Sequence, residues 1–167
     1  MIKKNQIFTL DKLEQKIVYT IANERQINKE KTGWNGYRTV AKKNDVNLNL
    51  VGFGAEFIFC RELNLFPDFT IINTSKTLGT DKYDCIYKNF TVDVKVNRNV
   101  NNPLMIPEYA KTNCKLFALF VCKFPKYRFE GFATNAMIFK KNNLRMTRVE
   151  SYVLKKKYLL DYDKLNL

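Results

Sequence analysis

The sequence predicts an α/β (α+β) fold in which helices cover a mixed β-sheet. Three observations predict it. Apolar residues recur at helical spacing up to about residue 65. After Pro67 the pattern changes to short runs rich in β-branched and aromatic residues. Leu116 to Cys122 is a continuous apolar run bounded by polar residues, as in a strand buried on both faces.

In chain order, Thr9 and Asp11 followed by Glu14 form an N-terminal capping arrangement. Leu10, Leu13, Ile17 and Ile21 then mark a helix from about Leu10 to Lys29. Lys31 to Asn49 is polar and broken by Gly33 and Gly36, so it reads as a loop with a short helix around Tyr37–Lys43. A second helix is expected from Leu50 to Leu65, with Gly52, Ala55, Glu56, Phe59, Cys60 and Leu63 on one face. Phe69 to Ile72 reads as a strand, and Tyr83–Tyr87 with Phe90–Val96 as a hairpin turning at Lys88-Asn89. Asn101 to Pro107 reads as loop and Glu108 to Asn113 as a short helical or turn segment. Tyr127 to Ala133 alternates and is the expected neighbour of the central strand. Thr134 is placed to cap a helix reaching Lys141, and a last strand is expected near Tyr158–Leu160.

The 167 residues suit one domain with a real core. Its expected parts are an N-terminal helical extension (1–49), a core (50–141) and a basic C-terminal segment (142–167). The absence of histidine excludes Ser-His-Asp and Cys-His nucleophilic chemistry and every His-ligated metal site. No apolar stretch is long enough to span a membrane, so no membrane partner is expected. Cys60, Cys85, Cys114 and Cys122 lack CxxC spacing and have apolar neighbours, which reads as reduced core thiols in an intracellular, cytoplasmic protein.

The net charge of +13 points to a polyanionic partner, although a chain rich in both Lys and Asn gains lysine from composition alone. Placement says more. Residues 1–50 hold ten Lys/Arg against five Asp/Glu, residues 51–110 six against seven, and residues 111–167 thirteen against four. A nearly neutral middle between basic flanks is what a carboxylate site set in a phosphate-binding surface requires.

Within that middle, Phe90, Val92, Val94 and Val96 alternate with Thr91, Asp93 and Lys95, so one strand face is apolar and the other carries an acid beside a base. A two-residue turn at Lys88-Asn89 pairs Tyr87 with Phe90, Ile86 with Thr91 and Cys85 with Val92, and brings Asp84 opposite Asp93. Two facing carboxylates repel unless a cation lies between them, and a divalent metal with oxygen ligands fits. Glu56 adds a third carboxylate beside the apolar face of its helix, where burial is costly unless it is paired or bound to metal.

These residues resemble the PD-(D/E)XK nuclease superfamily over roughly Gly52 to Thr134. The resemblance rests on Gly54-Ala55-Glu56 on a helix, Asp84 opening a hairpin, Asp93-Val94-Lys95 on its second strand, then the apolar strand and Glu130-Gly131-Phe132-Ala133-Thr134. The order is similar to small phage-type and Holliday-junction-resolvase-like members. It implies a restriction-endonuclease-like core of mixed sheet flanked by helices, and Mg²⁺- or Mn²⁺-dependent cleavage of phosphodiester bonds in DNA, with endonuclease action. It implies that Asp84, Asp93, Glu56 and the Val94 carbonyl hold the metal and that Lys95 orients the attacking water. A literal Pro67-Asp68 is out of register with Asp93, whereas Asp81, three residues before Asp84, is an alternative to it. By analogy, cutting two strands calls for a homodimer or higher oligomer. Lys111 and the run Lys155-Lys156-Lys157 are the expected nucleic-acid contacts. Two other readings stand beside this one: a non-catalytic nucleic-acid-binding or inhibitory protein on the same fold, and an unrelated basic structural protein.

Overall fold

A computed structural model describes residues 2–32, 45–71 and 83–165. Eight strands and three α-helices alternate along them: β1 (Ile7–Thr9), α1 (Lys12–Thr32), α2 (Asp45–Glu62), β2 (Cys85–Tyr87), β3 (Phe90–Asn97), β4 (Leu104–Pro107), β5 (Leu116–Lys123), β6 (Lys126–Thr134), α3 (Asn135–Ile138), β7 (Leu144–Met146) and β8 (Glu150–Leu154). The architecture is mixed α+β, in agreement with the fold class read from the sequence.

The capping arrangement starts α1. The Asp11 carboxylate accepts from the N–H groups of Leu13 and Glu14, and the Glu14 carboxylate accepts from the Asp11 N–H in return. Orphan amides at a helix start are thereby satisfied reciprocally, worth about 1 kcal/mol. The buried stripe of α1 is Val18 and Ala22, shifted one position from the Leu13–Ile17–Ile21 series; Leu13 is 65% exposed. The shift aligns Val18, Ala22 and Arg25 on the side that meets α2.

The main sheet has the order β1-β6-β5-β3-β2, with β3 and β5 parallel and every other pair antiparallel. One face of it packs against α1 and α2 through Val92, Val94, Ala118 and Phe120 meeting Phe53 and Ile58. The other face, with Phe117, Leu119 and Ala133, is covered by a second sheet of order β4-β8-β7 through Leu104, Ile106, Tyr152 and Leu154. The result is three layers over two hydrophobic clusters.

Several local expectations change. α2 begins at Asp45 and ends at Glu62. Asn101 to Pro107 is not all loop: Leu104–Pro107 is β4, paired with β8, because Leu104 and Ile106 alternate inward onto the second cluster. The described part of Phe69–Ile72, Phe69 to Ile71, is not a strand. The helix capped by Thr134 spans only Asn135–Ile138, and Glu108–Ala110 is a single 3-10 turn. The expected last strand is reduced to one bridge between Leu160 and Phe132; the strands of the C-terminal segment are β7 and β8. The short helix expected at Tyr37–Lys43 lies outside the described residues, as do Asp81 and the basic residues Arg38, Lys42 and Lys43.

Candidate functional site

Three of the four hairpin pairs expected from the sequence form; the fourth, Asp84 opposite Asp93, does not, because the ladder ends at Cys85–Val92 and the Asp84 side chain turns to the Val94 amide. Tyr87 pairs with Phe90, Ile86 with Thr91 and Cys85 with Val92. Lys88 and Asn89 both take positive φ, 46° and 66°, as a tight two-residue turn of this twist demands. The ladder then stops. Asp84 donates its N–H to the Val92 carbonyl at 2.9 Å, and its side-chain Oδ2 accepts from the Val94 N–H at 2.5 Å. The Asp84 carboxylate thus occupies the acceptor position that a further strand residue would fill. From Val94 onward the outer edge of β3 lies beyond β2, and the Val94 carbonyl leaves the strand on that same edge.

Three elements meet there. Asp93 and Lys95 point to the sheet face of Phe117 and Leu119, their register partners in β5. Asp93 is 7% exposed, and its Oδ1 lies 2.6 Å from the Lys95 Nζ. Glu56 approaches from α2, on the opposite side of the sheet, with Oε2 3.4 Å from Arg25 Nη1. Around the strand edge, Glu56, Asp84, Asp93 and Lys95 lie close enough to act on one another electrostatically.

The electrostatics are tense. Burial pushes the Asp84 carboxyl well above the ordinary carboxylate value, and Glu56 and Asp93 push it further. Burial also raises Glu56, against the opposing pull of Arg25 and Lys95. Burial works to lower the Lys95 ammonium, but Asp93, Asp84 and Glu56 outweigh it and hold it above its ordinary value. Perturbed groups in opposed pairs are a physical signature of reactive sites.

Sequence reasoning missed Arg25. Its guanidinium meets Glu56, donates to the carbonyls of Asp68 at 2.8 Å and Thr70 at 3.3 Å, and stands 4.7 Å over the Phe53 ring. It ties α1 to α2 and to the segment after Pro67. Its helical spacing from Val18 and Ala22 is the available signal, masked by the apolar series Leu13–Ile17–Ile21 one position away. Asp68 uses its carboxylate on the Thr70 N–H and is outside the group at the strand edge.

Gly54 sets how closely α2 approaches. A Cβ there would stand 2.1 Å from the Tyr127 hydroxyl and 2.8 Å from Cζ, atoms of a fully buried ring on β6. That hydroxyl is buried beside the Cys122 thiol, its side-chain hydrogen-bond partner. Cys60 of α2 and Cys85 of β2 share a side-chain hydrogen bond beside the site, and Cys60, Cys85, Cys114 and Cys122 are all buried.

The oxygen donors are of the kind a hard divalent cation takes. Among the described residues, however, no three His, Cys, Asp or Glu side chains already converge as a cage. The reason is visible in the partners: Glu56 is turned to Arg25, Asp93 to Lys95 and Asp84 to the Val94 amide. A cation here requires those carboxylates to turn.

The expected nucleic-acid contacts are dispersed. Lys111 is exposed and lies 5.4 Å and 5.6 Å over the rings of Phe139 and Tyr152. Lys155 and Lys157 are exposed, with Lys157 over Tyr158. Lys156 is different: it pairs with the buried Glu130 at 3.2 Å and donates to the Val100 carbonyl, so it is a structural cation and not one of three solvated lysines. No helix among the described residues is long and apolar enough to cross a membrane. Compared with protein-family models, curated proteins and solved structures, the chain has no match.

Proposed function

We propose that the chain is a metal-dependent nuclease of the PD-(D/E)XK type that hydrolyses phosphodiester bonds of DNA, most simply as an endonuclease on a restriction-endonuclease-like core. One observation carries the reading: Glu56, Asp84, Asp93 and Lys95, chosen from the sequence, come from three separate elements and meet at the open edge of β3. Burial raises the proton affinity of Glu56 and Asp84, an arrangement unfavourable for folding alone that gains a purpose if these carboxylates hold a cation with Asp93.

Asp84, Asp93, Glu56 and the Val94 carbonyl would hold Mg²⁺ or Mn²⁺. When bound, such an ion supplies Lewis-acid stabilisation of phosphate charge and lowers the pKa of water. The chain's own residues do the rest. Lys95, with its charge secured by Asp93, places an ammonium donor where a water and a phosphate oxygen need orientation. Arg25 holds Glu56 from the α1 side and would release it if Glu56 turned to a cation. The apolar layers beneath, Val92 and Val94 on one face and Phe117 and Leu119 on the other, fix β3 so that the acidic edge has little freedom to move.

The test is digestion of linear duplex, single-stranded, branched-junction and RNA substrates with Mg²⁺, Mn²⁺ or EDTA. Cleavage that needs the divalent ion and disappears in Asp93→Asn is expected. Salt-sensitive binding without cleavage would favour the non-catalytic alternative on the same residues.

A further inference from the structure

Polar contacts tie α1 to α2 at both ends and in the middle. Near the start of α1, Glu14 takes Arg61 of α2 with both carboxylate oxygens, at 2.7 and 2.8 Å. Near its end, Lys29 donates to the Asn49 side chain at 2.9 Å, and Asn49 donates to Gln26 at 3.1 Å. Between these lies the pair of Arg25 with Glu56, at 3.4 Å. The helices are thus pinned on either side of Arg25 and Glu56, so that opening this one contact does not undock them.

The middle contact is also the loosest of those that hold the carboxylates of the site. Asp93 lies 2.6 Å from Lys95 and the Asp84 carboxylate 2.5 Å from the Val94 amide, against 3.4 Å for Glu56 and Arg25. A charge-assisted hydrogen bond of full strength is about 2.7–2.9 Å long. Arg25 does not depend on this contact for its place. Its Nη2 donates to the Asp68 carbonyl at 2.8 Å, its Nε to the Thr70 carbonyl at 3.3 Å, and its guanidinium stands 4.7 Å over the Phe53 ring. Phe53 is three residues before Glu56 on α2, so the guanidinium is seated on the same helix face by contacts that do not involve the carboxylate. Nη1 alone serves Glu56. Glu56, in contrast, has Arg25 as its one ion-pair partner among the described residues, and burial still outweighs that pair in setting its affinity for a proton. The cation is secure and the carboxylate is under-compensated.

We infer that Arg25 is a positioning residue that stands in for the metal: it holds Glu56 through Nη1 in the metal-free chain and gives the carboxylate up to a divalent cation, while keeping its own seat on Phe53 and the carbonyls of Asp68 and Thr70. The exchange rests on the metal reading of the proposed nuclease's site. A guanidinium and a divalent ion on one carboxylate repel each other, and a hard dication gains more from the carboxylate oxygens than a singly charged guanidinium does. Metal entry therefore breaks one ion pair, and Arg25 sets the affinity for metal lower than the carboxylates alone would give.

The experiment titrates Mn²⁺ into the full chain by calorimetry, with no nucleic acid present, and follows thermal unfolding of each variant in EDTA. Arg25→Met should bind Mn²⁺ about three- to tenfold more tightly than wild type, the equivalent of one partly buried ion pair that no longer has to break. Its unfolding temperature in EDTA should fall, because Glu56 is left without its cation. Glu56→Gln should bind Mn²⁺ more weakly than wild type, and adding Arg25→Met to it should restore little. An equal gain in both backgrounds is charge repulsion at a distance and overturns the exchange, as does an unchanged or weaker affinity in Arg25→Met. Arg25→Lys carries the same test if Arg25→Met does not fold: an ammonium cannot serve both carbonyls and Glu56 together, so a gain of the same sign is expected and its absence overturns the inference. Wild-type Mn²⁺ binding with no gain in the Arg25 variants sinks the exchange and spares the metal site. The gain without any cleavage of DNA in Mn²⁺ spares the exchange and sinks the nuclease. No Mn²⁺ heat from wild type or from the Arg25 variants sinks both.

Discussion

At the open edge of β3 each charged side chain is held by a partner: Glu56 by Arg25, Asp93 by Lys95, Asp84 by the Val94 amide. Along the β7–β8 hairpin the cations have none among the described residues. The difference follows from burial. Asp93 is 7% exposed and is paired with Lys95, whereas Arg145 and Arg148 are exposed to solvent. The edge is organised for chemistry at fixed positions, and the hairpin carries its charge in solvent.

The largest expected effect breaks the edge. Asp93→Asn should abolish cleavage while leaving duplex affinity in EDTA nearly unchanged, because Asp93 lies away from the Val92/Val94 face that packs on the helices. Wild-type cleavage by this variant would falsify the site. Lys95→Ala should lower the cleavage rate by about 10²–10³ while Mn²⁺ affinity, followed by calorimetry, is retained, since the ammonium is not a ligand. Metal affinity lost along with activity would contradict that role.

Next in size is a change in the wall behind the site. Gly54→Ala should destabilise the protein by about 1–3 kcal/mol in urea unfolding, because its Cβ would overlap the Tyr127 ring. Tyr127→Phe should soften that penalty by removing the atom nearest the new methyl group. A neutral Gly54→Ala would mean that α2 is not held at this spacing.

Asp84→Asn sharpens the comparison from the other side, since the amide oxygen can still accept from Val94. Without divalent metal it should raise stability by roughly 0.5–2 kcal/mol at neutral pH, trading activity for stability. The sign follows from the raised carboxyl. A group whose folded-state pKa lies above its ordinary 3.8 contributes stability below that value and loses it as pH climbs through the raised one. The advantage of the variant should therefore grow as pH rises from about 4 and close on acidification. Thermal unfolding at several pH values, in EDTA, reads it directly.

The smallest effect concerns the C-terminal lysines. Lys155→Ala/Lys157→Ala should reduce the salt slope of DNA binding by at most about two equivalents. Lys156→Ala should leave that slope alone and lower the unfolding temperature instead, because it strands the buried Glu130 with Arg128 as its remaining ion-pair partner. A slope that responds to Lys156 as to its neighbours would erase the distinction between held and free cations in this segment.

The sequence by itself determined what is local or strictly periodic. The capping of α1 at Asp11, the hairpin register through Tyr87–Phe90, and β5 and β6 depend on neighbours within a few residues or on uninterrupted apolar runs, and each is where the residues predict it. That Asp93 and Lys95 share a strand face, and that Glu56 beside an apolar helix face takes a cation, was legible for the same reason: two-residue periodicity fixes which side chains share a face, and a half-buried carboxylate needs a partner; the turn of Asp84 to the Val94 amide was not. Tertiary structure decided the rest. β4 is a strand only because β8, 50 residues later at its Leu154–Leu104 pairing, supplies its partner. Arg25 became part of the site through the turn of α1 that packing selects, and Lys156 left the solvated charge run through a buried glutamate 26 residues away. Long-range pairing has no sequence period, so charges that look alike along the chain acquire opposite roles only when the fold assigns each one its neighbours.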